Sequence, residues 1–288
     1  MPSLPGVSHQ RAVKAFEKFG FWATRQGKDI TLLRMGGHPL IDQLVEITGL
    51  PCITVKRRLS PELFRLNAEG ALNGHIPITA YLSCLAVAVA EAVGFDTIVM
   101  SNEKSADVGN VEYLGKHINH QWSKSAEFVT SFDRYIRTYI NRNLRYESAL
   151  CDMTELQVVA EFVKYPQYFR HFTSCNKNWK IIQKPETRNQ KPEQIRWCGT
   201  CPKCAFVFVL LAAYLQKATV IEIFGKNLLD DASLLPLYRQ LLGIEGFKPF
   251  ECVGTPEETR EAFAMIQKRG DFTDATIMKS LKSLITNH

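Results

Sequence analysis

Pro77-Ile-Thr-Ala-Tyr-Leu-Ser-Cys-Leu-Ala-Val-Ala-Val-Ala-Glu-Ala-Val-Gly-Phe-Asp-Thr-Ile-Val-Met100 is the stretch that decides the fold. Pro77 suits the first turn of a long apolar helix, and Gly94 is placed to close it after Val93. Thr97 to Met100 then reads as a short strand. Upstream the same alternation recurs. Ala12 to Phe19 reads as a short helix, Asp29 to Met35 as a strand, Pro39 to Thr48 as a helix ending at Gly49, and Cys52 to Leu59 as a second strand. Repeated units of this kind predict an α/β fold, an open, mostly parallel sheet flanked by helices.

Downstream the pattern becomes helical. Ser131 can cap a helix in which Phe132, Tyr135, Ile136, Tyr139, Ile140 and Leu144 recur every three or four residues. That aromatic face reads as core rather than as a cofactor box. Thr154 and Gln157 form a capping-box pair before a helix reaching about Tyr165, where Pro166 interrupts it. The polar stretch Lys177 to Gln194 reads as an exposed loop, and Ala205 to Leu215 as a buried helix. Leu228 to Leu242 adds helix. A last helix is marked by Thr255, Pro256 and Glu258 at its start and Gly270 at its stop. The expected division is an α/β domain over 1–215, containing the cysteine loop 175–204, and a helical C-terminal segment over 216–288 packed on it.

Of the 288 residues, 45% are hydrophobic and 22% charged, enough apolar material for a core and no sign of disorder. The formal net charge of +6 suits an anionic ligand such as a nucleotide, or RNA, without requiring either. Met1 to Gln10 has no apolar signal core. The apolar run Tyr81 to Met100 is broken by Glu91 and Asp96, and Ala205 to Leu215 is too short to cross a bilayer. The expectation is a soluble protein of a bacterial-type cytoplasm with no membrane partner. Cys52, Cys84, Cys151 and Cys252 stand singly among apolar neighbours and read as ordinary buried residues.

The other four cysteines read differently. Cys198-Gly-Thr-Cys-Pro-Lys-Cys204 repeats a two-residue gap, which lets successive thiolates point at one centre. A closed structural site takes four ligands, and Cys175 is the nearest candidate for the fourth. A structural zinc ion held by Cys175, Cys198, Cys201 and Cys204 is therefore expected, a zinc knuckle that braces the loop without doing chemistry. The same spacing can hold an iron–sulfur cluster, and unliganded core thiols are the plain alternative.

Two polar segments are rich in groups that bind ligands. Asn73-Gly-His-Ile-Pro-Ile-Thr-Ala80 precedes the long helix, a place that suits phosphate or carboxylate; the alternative is a simple cap with a surface histidine. Ser101-Asn-Glu-Lys-Ser-Ala-Asp-Val-Gly-Asn110 follows the Thr97–Met100 strand, and ligands of open parallel sheets sit beyond strand carboxyl ends. Asn119-His-Gln-Trp-Ser-Lys-Ser125 can fold over the same mouth, or both can be solvated loops. Gly36-Gly37-His38 ends the first strand and lines the same edge, while Lys56-Arg-Arg58 reads as a solvated strand end.

Taken together with Trp197-Cys-Gly-Thr-Cys-Pro-Lys-Cys-Ala205 and Lys248-Pro-Phe-Glu-Cys-Val-Gly-Thr-Pro-Glu257, these segments resemble the MurL-type UDP-N-acetylmuramoyl-L-alanyl-L-glutamate epimerases from about Ala12 onward. More distantly, the cysteine pattern resembles the cyano-deazaguanine synthases. The resemblance implies a PP-loop, adenine-nucleotide-hydrolase-like (HUP) fold. It also implies ATP and Mg2+ as cofactors, and inversion of the terminal L-glutamate of the UDP-muramoyl dipeptide for peptidoglycan synthesis. Adenylating the carboxylate would make its α-hydrogen more acidic, and inversion then needs a base on one face and an acid on the other. The pool for those roles is His75, Glu103, Lys104, His120 and Lys124. Gly36, Gly37, His38, Asn73, Gly74, Thr79, Ser101, Asn102 and Asn110 are the candidate cofactor contacts. PP-loop proteins begin with an apolar strand and a Ser-Gly-Gly-x-Asp-Ser loop, where this chain has Ser3-Leu-Pro-Gly-Val-Ser8. The expectation is thus the later part of such an enzyme, a start set too late, or a degenerate relative. The alternatives are a PP-loop enzyme modifying tRNA or a nucleobase, and a binding protein without turnover. No interleaving of basic and aromatic residues stands out, so nucleic acid is not the expected partner.

Overall fold

The structure, a computed structural model, describes residues 22–26, 29–36, 38–72, 77–109, 111–179, 196–249 and 251–285. The sequence-derived helix Ala12–Phe19 and the Ser3–Ser8 segment lie outside the described residues, as does most of the Lys177–Gln194 loop. Two compact units divide between Asp152 and Met153.

The first unit is built on a five-stranded sheet of order β3-β2-β1-β4-β7, with β1 Trp22–Gln26, β2 Asp29–Met35, β3 Cys52–Val55, β4 Thr97–Met100 and β7 Arg145–Ser148. β2–β3 and β4–β7 pair in parallel, whereas β1 runs antiparallel to both β2 and β4. Four strands therefore point one way around a reversed central strand, so the sheet is mixed rather than mostly parallel in its pairings. β5 Val111–Tyr113 and β6 Lys116–Ile118 form a separate hairpin. Its turn places Leu114 at φ 50° and Gly115 at φ 70°, the left-handed pair that fits strand twist. β3 ends at Val55, short of the expected Leu59, because Lys56, Arg57 and Arg58 are exposed and Ser60 already caps the next helix.

Helix α1, Pro39–Thr48, has the expected bounds; Gly49 at φ 63° lets its N–H reach back to the last carbonyls. α2, Pro61–Ala68, has no buried residue and escaped the sequence pattern for that reason. α3, Ile78–Val93, buries Thr79, Ser83, Ala86, Val87 and Ala90, small side chains that let it lie close to the sheet. Gly94 at φ 88° closes it, as expected. α4, Ala126–Tyr139, begins at Ser125 rather than Ser131, and the Ser125 hydroxyl accepts from Phe128 N–H at 3.1 Å. The apolar row runs back one further turn, to Phe128. Only part of that row is core: Phe128 and Ile136 are buried, but Tyr135 is 52% and Tyr139 75% exposed. The core joins Leu33, Ala86, Ala90, Ile98, Phe128, Ile136 and Tyr146, and the Tyr146 and Ser83 hydroxyls share a hydrogen bond of 2.6 Å.

The second unit is helical: α5 Glu155–Phe162, α6 Pro202–Ala212, α7 Lys217–Phe224, α8 Leu235–Leu241, α9 Pro256–Arg269 and α10 Thr276–Ile285. Both capping boxes read from the sequence, Thr154 with Gln157 and Thr255 with Glu258, are formed. α5 stops at Phe162, and Pro166 starts a 3-10 turn rather than ending the helix itself. α6 is buried nearly all round and packs on α5, α7, α8 and α9. The cysteine loop and the helices beyond residue 216 therefore belong to one body around α6. Among the described residues, no helix is long and apolar enough to cross a membrane.

Candidate functional site

Because β2, β3, β4 and β7 share a direction, their carboxyl ends line one edge of the sheet. From β2 the chain passes through α1 to β3 on one side; from β4 it passes through α4 to β7 on the other. Such a divergence is where open α/β sheets hold ligands. Gly36 follows β2 at φ 73° and donates its N–H to the Val55 carbonyl (2.7 Å). His38 Nδ1 accepts from Leu40 N–H (3.3 Å) and so caps α1.

Ser101 to Lys104 follow β4. Ser148 Oγ, at the end of β7, donates to the Asn102 carbonyl (2.8 Å) and fixes this turn. The Asn102 side chain is buried, and its Nδ2 has no hydrogen-bond partner among the described residues. Burying such a donor unpaired is unfavourable. Glu103 is partly buried, and Lys104 opens an exposed edge of the 3-10 turn Lys104–Asp107. Two bonds tie this loop to the next: Asn119 Nδ2 donates to the Ala106 carbonyl (2.8 Å), and Asp107 Oδ1 accepts from Ala126 N–H (2.7 Å). Lys124 Nζ donates to Gln121 Oε1 (3.3 Å), and the 3-10 turn Trp122–Lys124 packs on α3, whose first turn buries Thr79. The structure thus brings the Ser101–Gly109 and Asn119–Ser125 segments into one layer of loops, with His120 and Lys124 in it. Gly36 and His38 share the sheet edge through β2. Gly37, Asn73, Gly74, His75 and Asn110 lie outside the described residues.

In the second unit the four expected cysteines meet. The Sγ atoms of Cys175, Cys198, Cys201 and Cys204 all lie within 4.8 Å of one another. Cys201–Cys204 is 3.4 Å, Cys198–Cys204 3.7 Å and Cys175–Cys201 4.0 Å. Thiolates placed tetrahedrally about 2.3 Å from one zinc ion are about 3.8 Å apart, and the observed distances bracket that figure. A four-iron cluster gives each thiolate its own iron and holds the sulfurs farther apart. The donor set fits a single ion.

Local sequence explains the meeting. Cys201 is the residue before α6 and Cys204 lies in its first turn, with Gly199 at φ 65° turning the approach. The Cys175 turn is tied to the Cys198 turn by Thr173 Oγ1 and Asn178 Nδ2, both donating to the Arg196 carbonyl (2.5 and 2.7 Å). Hydrogen bonds from the Cys201 and Cys204 thiols lower the Cys175 thiol pKa to about 3, while the hydrogen bonds with Cys175 and Cys201 push Cys204 up. Burial raises Cys198, but donation from the Thr200 hydroxyl and N–H outweighs it and leaves the thiol low.

One cluster had no role in the sequence reading. Glu155 and Glu258 are buried at the starts of α5 and α9, and Lys203, in the first turn of α6, has Glu155 Oε1 at 3.9 Å. Lys248 and Glu251 sit beside them: burial lowers the Lys248 ammonium, and burial followed by the nearby Cys201 charge raises the Glu251 carboxyl. The available signal was Glu155 and Lys203, charged residues in the first turns of otherwise apolar helices.

Comparison with known proteins follows the same division. The MurL N-terminal domain matches residues 23–149 and the MurL C-terminal domain residues 171–288. A UDP-N-acetyl-alpha-D-muramoyl-L-alanyl-L-glutamate epimerase of Xanthomonas oryzae pv. oryzae is 43% identical over 253 residues, 88% of this chain and 54% of that relative. Proteins of the same name from Salinispora tropica and a Micromonospora species are each 38% identical over 257 residues. These matches take in 89% of this chain and 54% and 56% of the two relatives. The chain spans about half the length of the curated relatives it matches. No solved structure matches significantly. With one family domain on each of its two compact units, the chain belongs to the MurL family.

Proposed function

We propose that this chain inverts the terminal L-glutamate of UDP-MurNAc-L-Ala-L-Glu to D-glutamate, a step in making peptidoglycan precursors, using ATP and Mg2+. The observation that carries the reading is the pair of MurL domain matches in chain order, reinforced by relatives named for that epimerisation.

The chemistry asks for two things. A carboxylate's α-hydrogen is weakly acidic because its removal sets a second negative charge beside the first. ATP would supply relief by activating that carboxylate as an acyl-adenylate, and Mg2+ would arrive with the phosphates, keeping several waters. The chain's own residues then hold the substrate and move protons: a base takes the α-hydrogen from one face and an acid returns one on the other. His75, Glu103, Lys104, His120 and Lys124 are the proposed pool for those roles. Gly36, Gly37, His38, Asn73, Gly74, Thr79, Ser101, Asn102 and Asn110 are proposed to contact nucleotide and substrate. The shared sheet edge and the unpaired, buried Asn102 Nδ2 support a ligand there, since an acceptor on the ligand would complete that donor.

A PP-loop-like ancestry of the first unit and a structural role for zinc at the four cysteines belong to the same proposal. Such a site has no open position for chemistry. A reducing, cytoplasmic compartment, in which the thiols stay available to metal, is proposed with it.

The test is incubation of the zinc-replete chain with ATP, Mg2+ and the L,L-substrate, followed by chiral analysis of glutamate and assay of AMP and pyrophosphate. D-glutamate above background is the expected result, reduced at least about tenfold in Asn102→Ala. A folded chain that makes none would sink the reading, and steeply salt-dependent tRNA binding instead would favour a nucleic-acid-modifying enzyme.

A further inference from the structure

Lys56, Arg57 and Arg58 follow β3 directly, and all three are exposed. Because β3 runs with β2, β4 and β7, these cations sit on the carboxyl edge of the sheet, the edge that carries Gly36, His38 and Asn102. Two contacts hold them there. The Val55 carbonyl accepts from Gly36 N–H at 2.7 Å, so Lys56 leaves the sheet beside the end of β2. The Arg57 guanidinium stands over the Tyr81 ring, 6.0 Å from its centroid. Tyr81 is in the first turn of α3, and α3 runs back to the amino end of β4, so this turn lies at the carboxyl edge too.

None of the three cations has a carboxylate partner among the described residues. The carboxylates of this edge and of α2 are committed elsewhere: Asp42 to Arg34, Glu62 and Glu69 to Arg65, Asp107 to Ala126 N–H, and Glu127 to Trp122 Nε1. Glu103 follows β4, three strand spacings from β3. The starts of α1, α3 and α4 fall at the same edge and add three positive helix ends. Three adjacent like charges repel one another, and a ligand with more than one negative charge would relieve that repulsion.

A second, independent sign of a ligand lies further along the edge. Asn102 is 7% exposed, and its Nδ2 has no partner among the described residues. Three strand spacings separate β3 from β4, about 14 Å. The substrate proposed above matches that span. Its lactyl-alanyl-glutamyl arm is three peptide-length units, about 10 Å when extended, and the sugar ring stands between that arm and the diphosphate.

We infer that Lys56, Arg57 and Arg58 bind the diphosphate of the nucleotide-linked substrate, whose glutamyl end then reaches Asn102 across the strand ends. This placement rests on the substrate class proposed above, and not on turnover.

The experiment is calorimetric titration of the full, zinc-replete chain with two probes: UDP-MurNAc-L-Ala-L-Glu, and MurNAc-L-Ala-L-Glu, which lacks the nucleoside diphosphate. Saturable binding of the first is expected, weakened at least about tenfold in Arg57→Ala and in Lys56→Ala combined with Arg58→Ala, and partly restored in Arg57→Lys. The second probe should bind no better to wild type than to the variants, whereas general damage to the unit would weaken both. Arg142→Ala removes an exposed cation just before the amino end of β7 and should leave both affinities unaltered. A titration with ATP and Mg2+ identifies the other source of a phosphate chain, and the variants should bind it as wild type does. Failure of wild type to bind the UDP-linked probe, equal binding by wild type and variants, loss with both probes, or loss confined to ATP would each overturn the inference. A chain that binds through these cations yet forms no D-glutamate refutes the proposed reaction alone. One that epimerises, with binding untouched in the variants, refutes the diphosphate site alone.

Discussion

Glu258 accepts a hydrogen bond from the backbone N–H of Glu155, 103 positions earlier in the chain, at 2.6 Å. Its other oxygen closes the capping box on Thr255 N–H. One carboxylate therefore terminates two helices, α5 and α9. Glu258→Ala leaves one buried donor, Glu155 N–H, and one partly buried donor, Thr255 N–H, without acceptors, and the buried one alone costs about 1–3 kcal/mol. The variant should unfold at markedly lower urea concentration than wild type, with secondary structure in the first unit unaltered. A midpoint shift no larger than that of an exposed control such as Glu261→Ala would contradict this.

Gly254 sits against the same carboxylate. A methyl group there would lie 2.5 Å from Glu258 Oε2 and 2.6 Å from Phe206 Cζ. Neither neighbour yields easily, since one is hydrogen-bonded twice and the other is fully buried in α6. Gly254→Ala should destabilise by about 1–3 kcal/mol through overpacking, measured by chemical denaturation. The backbone at Gly254 is not in the left-handed region, so the effect should come from the contact rather than from φ.

Zinc at the four thiolates should be stoichiometric. Elemental analysis of purified chain is expected to give one zinc and no iron, and Co2+ exchange should give the visible spectrum of tetrahedral thiolate ligation. Cys175→Ser should lower metal content and thermal stability together, because the site joins the Cys175 turn to the start of α6. Full metal content in that variant would remove Cys175 from the ligand set.

Lys248 makes a prediction about pH. Burial holds its folded-state value below the ordinary lysine value of about 10.4. In the interval between the two values the unfolded chain carries more protons than the folded one, so stability rises with pH there. The penalty is fully present below the folded-state value and is gone above the unfolded one. Lys248→Gln removes it, so the stability gap between variant and wild type should narrow as pH climbs through the alkaline range. A gap constant with pH would show that the lysine is not held back by burial.

Helix starts and stops were legible where they rest on short, local chemistry, and misread at the start of α4, where Ser125 and not Ser131 is the cap. Gly49, Gly94 and Gly270 close helices in the left-handed conformation, and Thr154 and Thr255 open them, as their sequence contexts imply. The cysteine centre was legible for the same reason, and Cys175, named as its fourth ligand from proximity in sequence, joins the other three thiols. β1 and β7 were not. Trp22-Ala-Thr-Arg-Gln26 and Arg145-Tyr-Glu-Ser148 are short and polar, and they become strands only because neighbours pair with them. The cluster around Lys203, Lys248 and Glu258 escaped because its residues come from three helix starts and a loop; burial of each charge is a property of the assembled unit. Gathering the Ser101–Gly109 and Asn119–Ser125 loops into one layer was foreseeable from β4, whereas the bonds from Asn119 and Asp107 that tie them were not.

The reversed strand β1 has a consequence for anyone shortening this protein from its front. With Trp22–Gln26 gone, β3–β2 and β4–β7 would survive only as two isolated ribbons, each exposing a bare row of amides and carbonyls toward a gap one strand wide. Such ribbons invite pairing with other chains, so a trimmed version should clump rather than merely lose activity. Five residues of modest sequence thus act as the zip of the first unit.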